Sequence, residues 1–122
     1  MDAEQAIHNF WSSFGIPAYD ENSVPDDANL PYITYSISFD GFDYAVNMTA
    51  SVWYRSNLWS EVTDKAKQIC NKITDGGIML KTDNGRVWLR KSTPVYYRVG
   101  EEDKAIKRIR FNVAAEYILN NL

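Results

Sequence analysis

The chain has 122 residues, with 13 Lys and Arg, 16 Asp and Glu, one His and a formal net charge of −3. That length is one domain, long enough to take roughly two-thirds of its unfolded surface out of water, so neither a disulfide nor a metal staple is required. The single cysteine, Cys70, excludes an intramolecular disulfide and most cysteine-built metal sites.

No apolar run approaches the roughly 18 residues that cross a bilayer. The start, Met1-Asp2-Ala3-Glu4-Gln5, is acidic and polar, the opposite of a secretory signal. The expectation is a protein made and used without crossing a membrane, with no membrane partner.

From Asp2 to Phe14 the spacing predicts a helix. Ile7, Phe10, Trp11 and Phe14 fall on one stripe. Asp2 with Gln5 three residues on resembles a capping box, and Gly15 and Pro17 stop the helix. From Gly15 to Pro31 the chain is rich in Pro, Asp, Asn and Ser without periodicity, which predicts a long loop.

A strand then alternates Ile33, Tyr35, Ile37 and Phe39 with Tyr32, Thr34, Ser36 and Ser38. A turn at Asp40-Gly41 leads to a second strand, with Tyr44, Val46, Met48, Ala50 and Val52 toward the core and Asn47, Thr49, Ser51, Trp53 and Arg55 opposite. The two form an antiparallel hairpin. A second helix runs from about Asn57 to Ile73, with Leu58, Val62, Ala66, Ile69 and Ile73 inward. Ser56 or Asn57 caps it and Gly76-Gly77 ends it.

Three strand runs follow. Ile78 to Lys81 and Arg86 to Lys91 flank Asp83-Asn84-Gly85, a strong hairpin signal. Lys91 to Val99 stays extended through Pro94, which implies an edge or a bend. The last run, Ile106 to about Ala115, alternates Arg108, Arg110 and Asn112 with Ile109, Phe111 and Val113, and residues 116–122 are open to strand, turn or frayed end.

The prediction is a single α+β domain over residues 1–122, in the order α-β-β-α-β-β-β. Its sheet is mostly antiparallel, with both helices packed on one face. The expected core comprises Ile7, Phe10, Phe14, Ile33, Ile37, Val46, Met48, Val52, Val62, Ile69, Val87, Leu89, Ile109 and Phe111.

Two helices cover only one face of such a sheet. The alternation places Tyr32, Trp53, Trp88, Arg90, Tyr96, Arg98, Arg108 and Arg110 on the other. An uncovered face is usually Thr, Ser, Lys and Glu. Trp, Tyr and Arg are enriched at protein interfaces, and the same set suits a single-stranded nucleic-acid platform. Cross-strand Trp–Arg stacking within the domain is the plain structural alternative. A one-residue slip in register would invert the whole assignment.

Charge is divided along the chain. Residues 1–61 carry nine acids and one base, whereas residues 62–122 carry seven acids and twelve bases. Such a split suits head-to-tail assembly of unlike surfaces unless folding intermingles the halves. Catalytic constellations do not emerge. His8 lies beside an apolar stripe, Cys70 sits next to Ile69 without a paired histidine, and the carboxylates of Asp20-Glu21, Asp26-Asp27 and Glu101-Glu102-Asp103 lack metal-loop spacing. Asp75-Gly76-Gly77 follows a helix rather than opening one, so it is no phosphate cradle. No cofactor is expected.

The order helix, loop, Leu30-Pro31-Tyr32-Ile33-Thr34-Tyr35, hairpin, Val52-Trp53-Tyr54-Arg55-Ser56, then a helix with Ala66-Lys67-Gln68-Ile69, resembles the tail-completion and tail-terminator proteins of long-tailed bacteriophages and prophages. The resemblance spans nearly the whole chain and rests on the order and wording of elements.

It implies a non-enzymatic virion protein, made in the host bacterial cytoplasm and located in the tail neck. There it assembles with itself as a ring, often a hexamer, and ends the tail tube. Its partners would be the tail tube protein and the head connector or completion protein, with DNA present only as the transiting genome. The long acidic loop from Pro17 to Pro31 departs from the family pattern. A single-strand nucleic-acid-binding module using the aromatic and arginine face is the alternative.

Overall fold

A computed structural model describes residues 1–39 and 44–120. Helix α1 (Ala3–Trp11) continues into a 3₁₀ turn, Ser12–Phe14. Strands β1 (Ala18–Asp20), β2 (Tyr32–Tyr35) and β3 (Ala45–Arg55) follow. Then come α2 (Ser60–Ile73), β4 (Ile78–Lys81), β5 (Gly85–Val99) and β6 (Ile106–Leu119).

The six strands form one sheet in the order β1-β2-β3-β6-β5-β4. Only the β1–β2 pair is parallel; all others are antiparallel. This is the expected α+β class, with both helices contributing to a single apolar core on one face.

Helix α1 starts as its sequence dictates. Asp2 caps it, its carboxylate accepting from the Gln5 backbone N–H at 2.8 Å, which satisfies one of the first-turn donors that lack a helical partner. Ala3, Ala6, Ile7, Phe10 and Trp11 are buried along one stripe. Gly15 ends the 3₁₀ turn at φ 83°, a left-handed conformation that glycine adopts without a Cβ clash.

Helix α2 begins later than predicted. Trp59 is its cap residue and makes no side-chain capping bond. Ser56 Oγ instead accepts from Leu58 N at 3.1 Å in the approach to the helix. Leu58, expected inside, is therefore off the helix and 67% exposed. Val62, Ala66, Ile69 and Ile73 are buried as the steps of three and four require.

Three further expectations change. The stretch after Pro17 is not all loop, because Ala18–Asp20 adds a short parallel strand to the β2 edge. A parallel strand can follow a helix without a hairpin, and three residues are too few to show alternation. The first long strand keeps only Tyr32–Tyr35 in regular pairing, and the Asp40-Gly41 turn lies outside the described residues. Val46 and Ile37, predicted core, are half-buried near the end of that hairpin, whereas the other twelve predicted core residues are buried.

The two runs on either side of Lys91 form one strand, β5, interrupted by a large bulge. Lys91 faces Val113 and Tyr96 faces Phe111, so five steps along β5 correspond to two along β6. Three extra residues are accommodated around Pro94, whose carbonyl accepts from Asn112 Nδ2 at 3.0 Å. The strand is also an edge there, since β4 pairs only with Arg86–Leu89. Both readings of Pro94 from the sequence hold together.

At the other end of β5, a Cβ placed on Gly85 would lie 2.1 Å from the Ile118 carbonyl oxygen. Only glycine lets the β5 and β6 backbones approach that closely.

Candidate interaction surface on the uncovered sheet face

The uncovered face is built by the residues alternating with the core. Val52 faces Ile109 and is buried, so its neighbour Trp53 points the other way and faces Arg108. By the same alternation Ser51 faces Arg110, and Trp88, between buried Val87 and Leu89, faces Glu116. Tyr32 faces Trp53 from β2, with ring centroids 6.5 Å apart, and Tyr19 of β1 meets Tyr32 edge-on at 5.7 Å.

Six of the eight predicted surface residues are on this face: Tyr32, Trp53, Trp88, Arg90, Arg108 and Arg110. Tyr96 and Arg98 are not. The three-residue bulge is odd, so it exchanges the two faces of the strand beyond it. Tyr96 packs on the buried Phe111 ring with centroids 5.4 Å apart. Arg98 faces Ile109 and stacks on Trp59, beside α2, at 4.7 Å. Tyr97, which strict alternation placed inward, faces Arg110 on the uncovered side and is 41% exposed.

The face covers itself. The Arg108 guanidinium lies 4.3 Å from the Trp53 ring centre, and its Nε donates to Ser51 Oγ at 3.0 Å. Trp53 Nε1 donates to Thr34 Oγ1 at 2.9 Å. Thr34 and Ser51 are buried polar residues as a result, each with its hydroxyl hydrogen-bonded, as burial requires. Arg90 lies 4.0 Å over Trp88 and pairs with Glu116 at 3.0 Å, while its Nε is buried without a hydrogen-bond partner among the described residues. Trp88 Nε1 donates to the Gly76 carbonyl at 3.0 Å.

Of the three predicted arginines on this face, Arg110 makes no hydrogen bond or ion pair among the described residues, and neither does Arg86, which lies on the same face opposite Ile118. The plain alternative raised by the sequence, Trp–Arg stacking inside the domain, thus describes both tryptophans. Arg110 has the exposed Tyr97 beside it. Sequence reasoning missed the Thr34 and Ser51 floor, the Glu116 partner of Arg90 and the Glu101 carboxylate 3.4 Å from Arg108, because alternation gives a face but not which side chains lean over which.

Among the described residues, no carboxylate of residues 1–61 belongs to an ion pair. The acids that do pair are Asp75, Asp83, Glu101, Asp103 and Glu116. Arg55–Asp103 and the Met1 amino group with Asp83 are the pairs that join the halves.

Other candidate groups have structural partners. His8 Nδ1 lies 2.7 Å from the Tyr35 hydroxyl, and Ser12 Oγ is 3.3 Å from its Nε2 one helical turn on. Burial pushes the Tyr35 phenol pKa up, and the nearby Asp20 and Glu4 add to that. Burial likewise raises the Cys70 thiol, with Lys91 opposing it more weakly, so Cys70 is a poor nucleophile at neutral pH. Among the described residues no group of three His, Cys, Asp or Glu side chains is arranged to hold a metal ion.

No family model matches the chain, and no curated protein does either. Its fold is similar to that of a chain in the virion of a native gene transfer agent particle, with a TM-score of 0.62 at 17% identity. The match covers 95% of this chain and 85% of the other.

Proposed function

We propose that this protein is a non-enzymatic structural component of a phage or prophage virion, acting at the head-proximal end of the tail. In this reading it ends the tail tube and joins it to the head connector, in the neck of the particle. The observation that carries the proposal is the near-complete overlap of its fold with a chain from a virion, taken together with the tail-terminator wording of its sequence.

The chemistry is consistent with a scaffold. The uncovered face invests its aromatic and arginine residues in mutual stacking rather than in a reactive centre. Assembly with itself into a ring follows from the same reading, since a closed ring needs two unlike complementary surfaces per copy.

A nucleic-acid platform is less well supported. Each indole already has a guanidinium stacked on it, which removes ring surface that a base would need.

Deleting the coding sequence from the phage or prophage that carries it tests the proposal by electron microscopy. The expected particles are filled heads separated from tails, with tails of irregular length, restored by supplying the protein in trans. Joined virions with tails of normal length would remove the neck role.

A further inference from the structure

The sheet ends on one side at β4, and the phase of its ladder fixes which backbone groups face outward. Thr82 N donates to the Gly85 carbonyl at 3.0 Å, and on the far side of β5 Asn120 N donates to the Asn84 carbonyl at 2.8 Å. In an antiparallel ladder bonded and unbonded pairs alternate, so Leu80 and Ile78 bond to β5, whereas Met79 and Lys81 turn their N–H and C=O groups away from the sheet. Those groups have no hydrogen-bond partner among the described residues. The next outward donor, Asp83 N, is taken by the Met1 carbonyl at 2.8 Å, which closes that end of the edge.

Beside this edge runs a groove of about 330 Å³ between α1 and β4. Ala6 and Phe10 of α1 and Ile78 and Leu80 of β4 give it apolar walls, and Lys72 and Lys81 border it. Both lysines are exposed, and neither forms an ion pair among the described residues. The nearby Asp83 carboxylate is held by the Met1 amino group. A free strand edge over an apolar groove takes up an extended segment, whose backbone pairs with the edge while a side chain fills the groove. Two unpaired lysines select a segment that carries carboxylates.

The chain contains such a sequence between β2 and β3: Phe39-Asp40-Gly41-Phe42-Asp43-Tyr44. Residues 40–43 lie outside the described residues, and the flanking Ser38 and Tyr44 are both exposed. Within one molecule the groove is too far away. Strands β6 and β5 separate β3 from β4, which at about 4.8 Å per strand puts them roughly 14 Å apart. Four residues going out and back reach about 9 Å.

We infer that the groove beside β4 takes residues 40–43 of a second copy of this chain. Phe42 enters between α1 and β4, Asp40 and Asp43 lie against Lys72 and Lys81, and the segment's backbone pairs with the free groups of Met79 and Lys81. Segment and groove are different surfaces, so the contact is heterologous and repeats from copy to copy instead of stopping at a dimer. It deepens the ring-forming reading above and rests on it for its biological setting.

Charge reversal tests the contact. Asp40→Lys with Asp43→Lys makes one variant and Lys72→Glu with Lys81→Glu the other; circular dichroism checks that both fold. In sedimentation at high concentration the unmodified protein should associate, and each variant alone should weaken by at least about tenfold. An equimolar mixture should associate again, because each reversed segment then meets a reversed groove. Met79→Pro removes an outward N–H without removing a β4–β5 bond, a change that an edge strand tolerates, and it should weaken association by a similar factor.

Disulfide trapping of Asp43→Cys with Lys81→Cys, in a Cys70→Ala background, should give a ladder beyond dimer. A folded mixture that stays monomeric, variants that associate normally, or trapping that stops at dimer would each overturn the proposal. Failure here with the tail phenotype intact removes only the groove contact, whereas a clear ladder from a protein whose deletion leaves virions normal removes only the neck role.

Discussion

The two faces of this sheet are made from the same strands, yet they are stabilised differently. On the helix-covered face Val52, Val87, Ile109 and Phe111 are fully enclosed by α1 and α2, and burial of apolar area dominates. On the other face no helix arrives; Trp53 and Arg108 lean over the strands to enclose Thr34 and Ser51, and Arg90 stacks on Trp88 farther along. The comparison teaches that Trp and Arg on an open sheet face do not by themselves mark a binding site. They can be the roof of a face that has no second layer.

The largest effect should separate adjacent residues of β6. Phe111→Ala removes a fully buried ring and should cost about 3–5 kcal/mol in urea unfolding, whereas Arg110→Ala, with no bonding partner among the described residues, should stay within about 0.5 kcal/mol. Equal losses would mean that the two faces are not distinct.

Next in size is the effect of the bulge. Tyr96→Ala loses the packing against Phe111 and should destabilise by about 1–3 kcal/mol, clearly more than exposed Tyr97→Ala. The reverse order would show that the faces do not exchange at Pro94.

Trp53→Ala should cost about 1–2 kcal/mol, from the lost guanidinium stacking and the hydrogen bond to Thr34. A double-mutant cycle with Arg108→Ala should return a favourable coupling. No coupling would mean the roof is cosmetic. The protein should still fold, which keeps tail incorporation measurable for this variant.

The smallest effect is alkaline. The Tyr35 pKa is raised in the folded protein, by burial first and then by Asp20 and Glu4, and that of Tyr54 is raised by burial and Glu61. Folding therefore favours the neutral phenols. Their contribution is complete below the ordinary tyrosine pKa and fades as pH climbs through the folded values. Thermal melts should show a shallow decline above about pH 10, reduced in Tyr35→Phe. A decline of the same steepness in that variant would move the effect elsewhere.

Sequence alone determined the α+β class, the two apolar helix stripes, four of the six strands nearly to their ends, and twelve of fourteen core residues. These are local properties, since periods of two and of three to four residues are written in the residues themselves.

The tertiary structure decided the rest. Ala18–Asp20 is a strand only because β2 offers an edge to it. Leu58 is left outside because α2 starts at Ser60. Tyr96 and Arg98 change face because β5 gains three residues against β6; Pro94 announced a bend, but the number of residues in a bulge depends on how the partner strand runs. Which arginine covers which indole likewise follows from strands far apart in sequence lying side by side, a relation no single stretch of the chain contains.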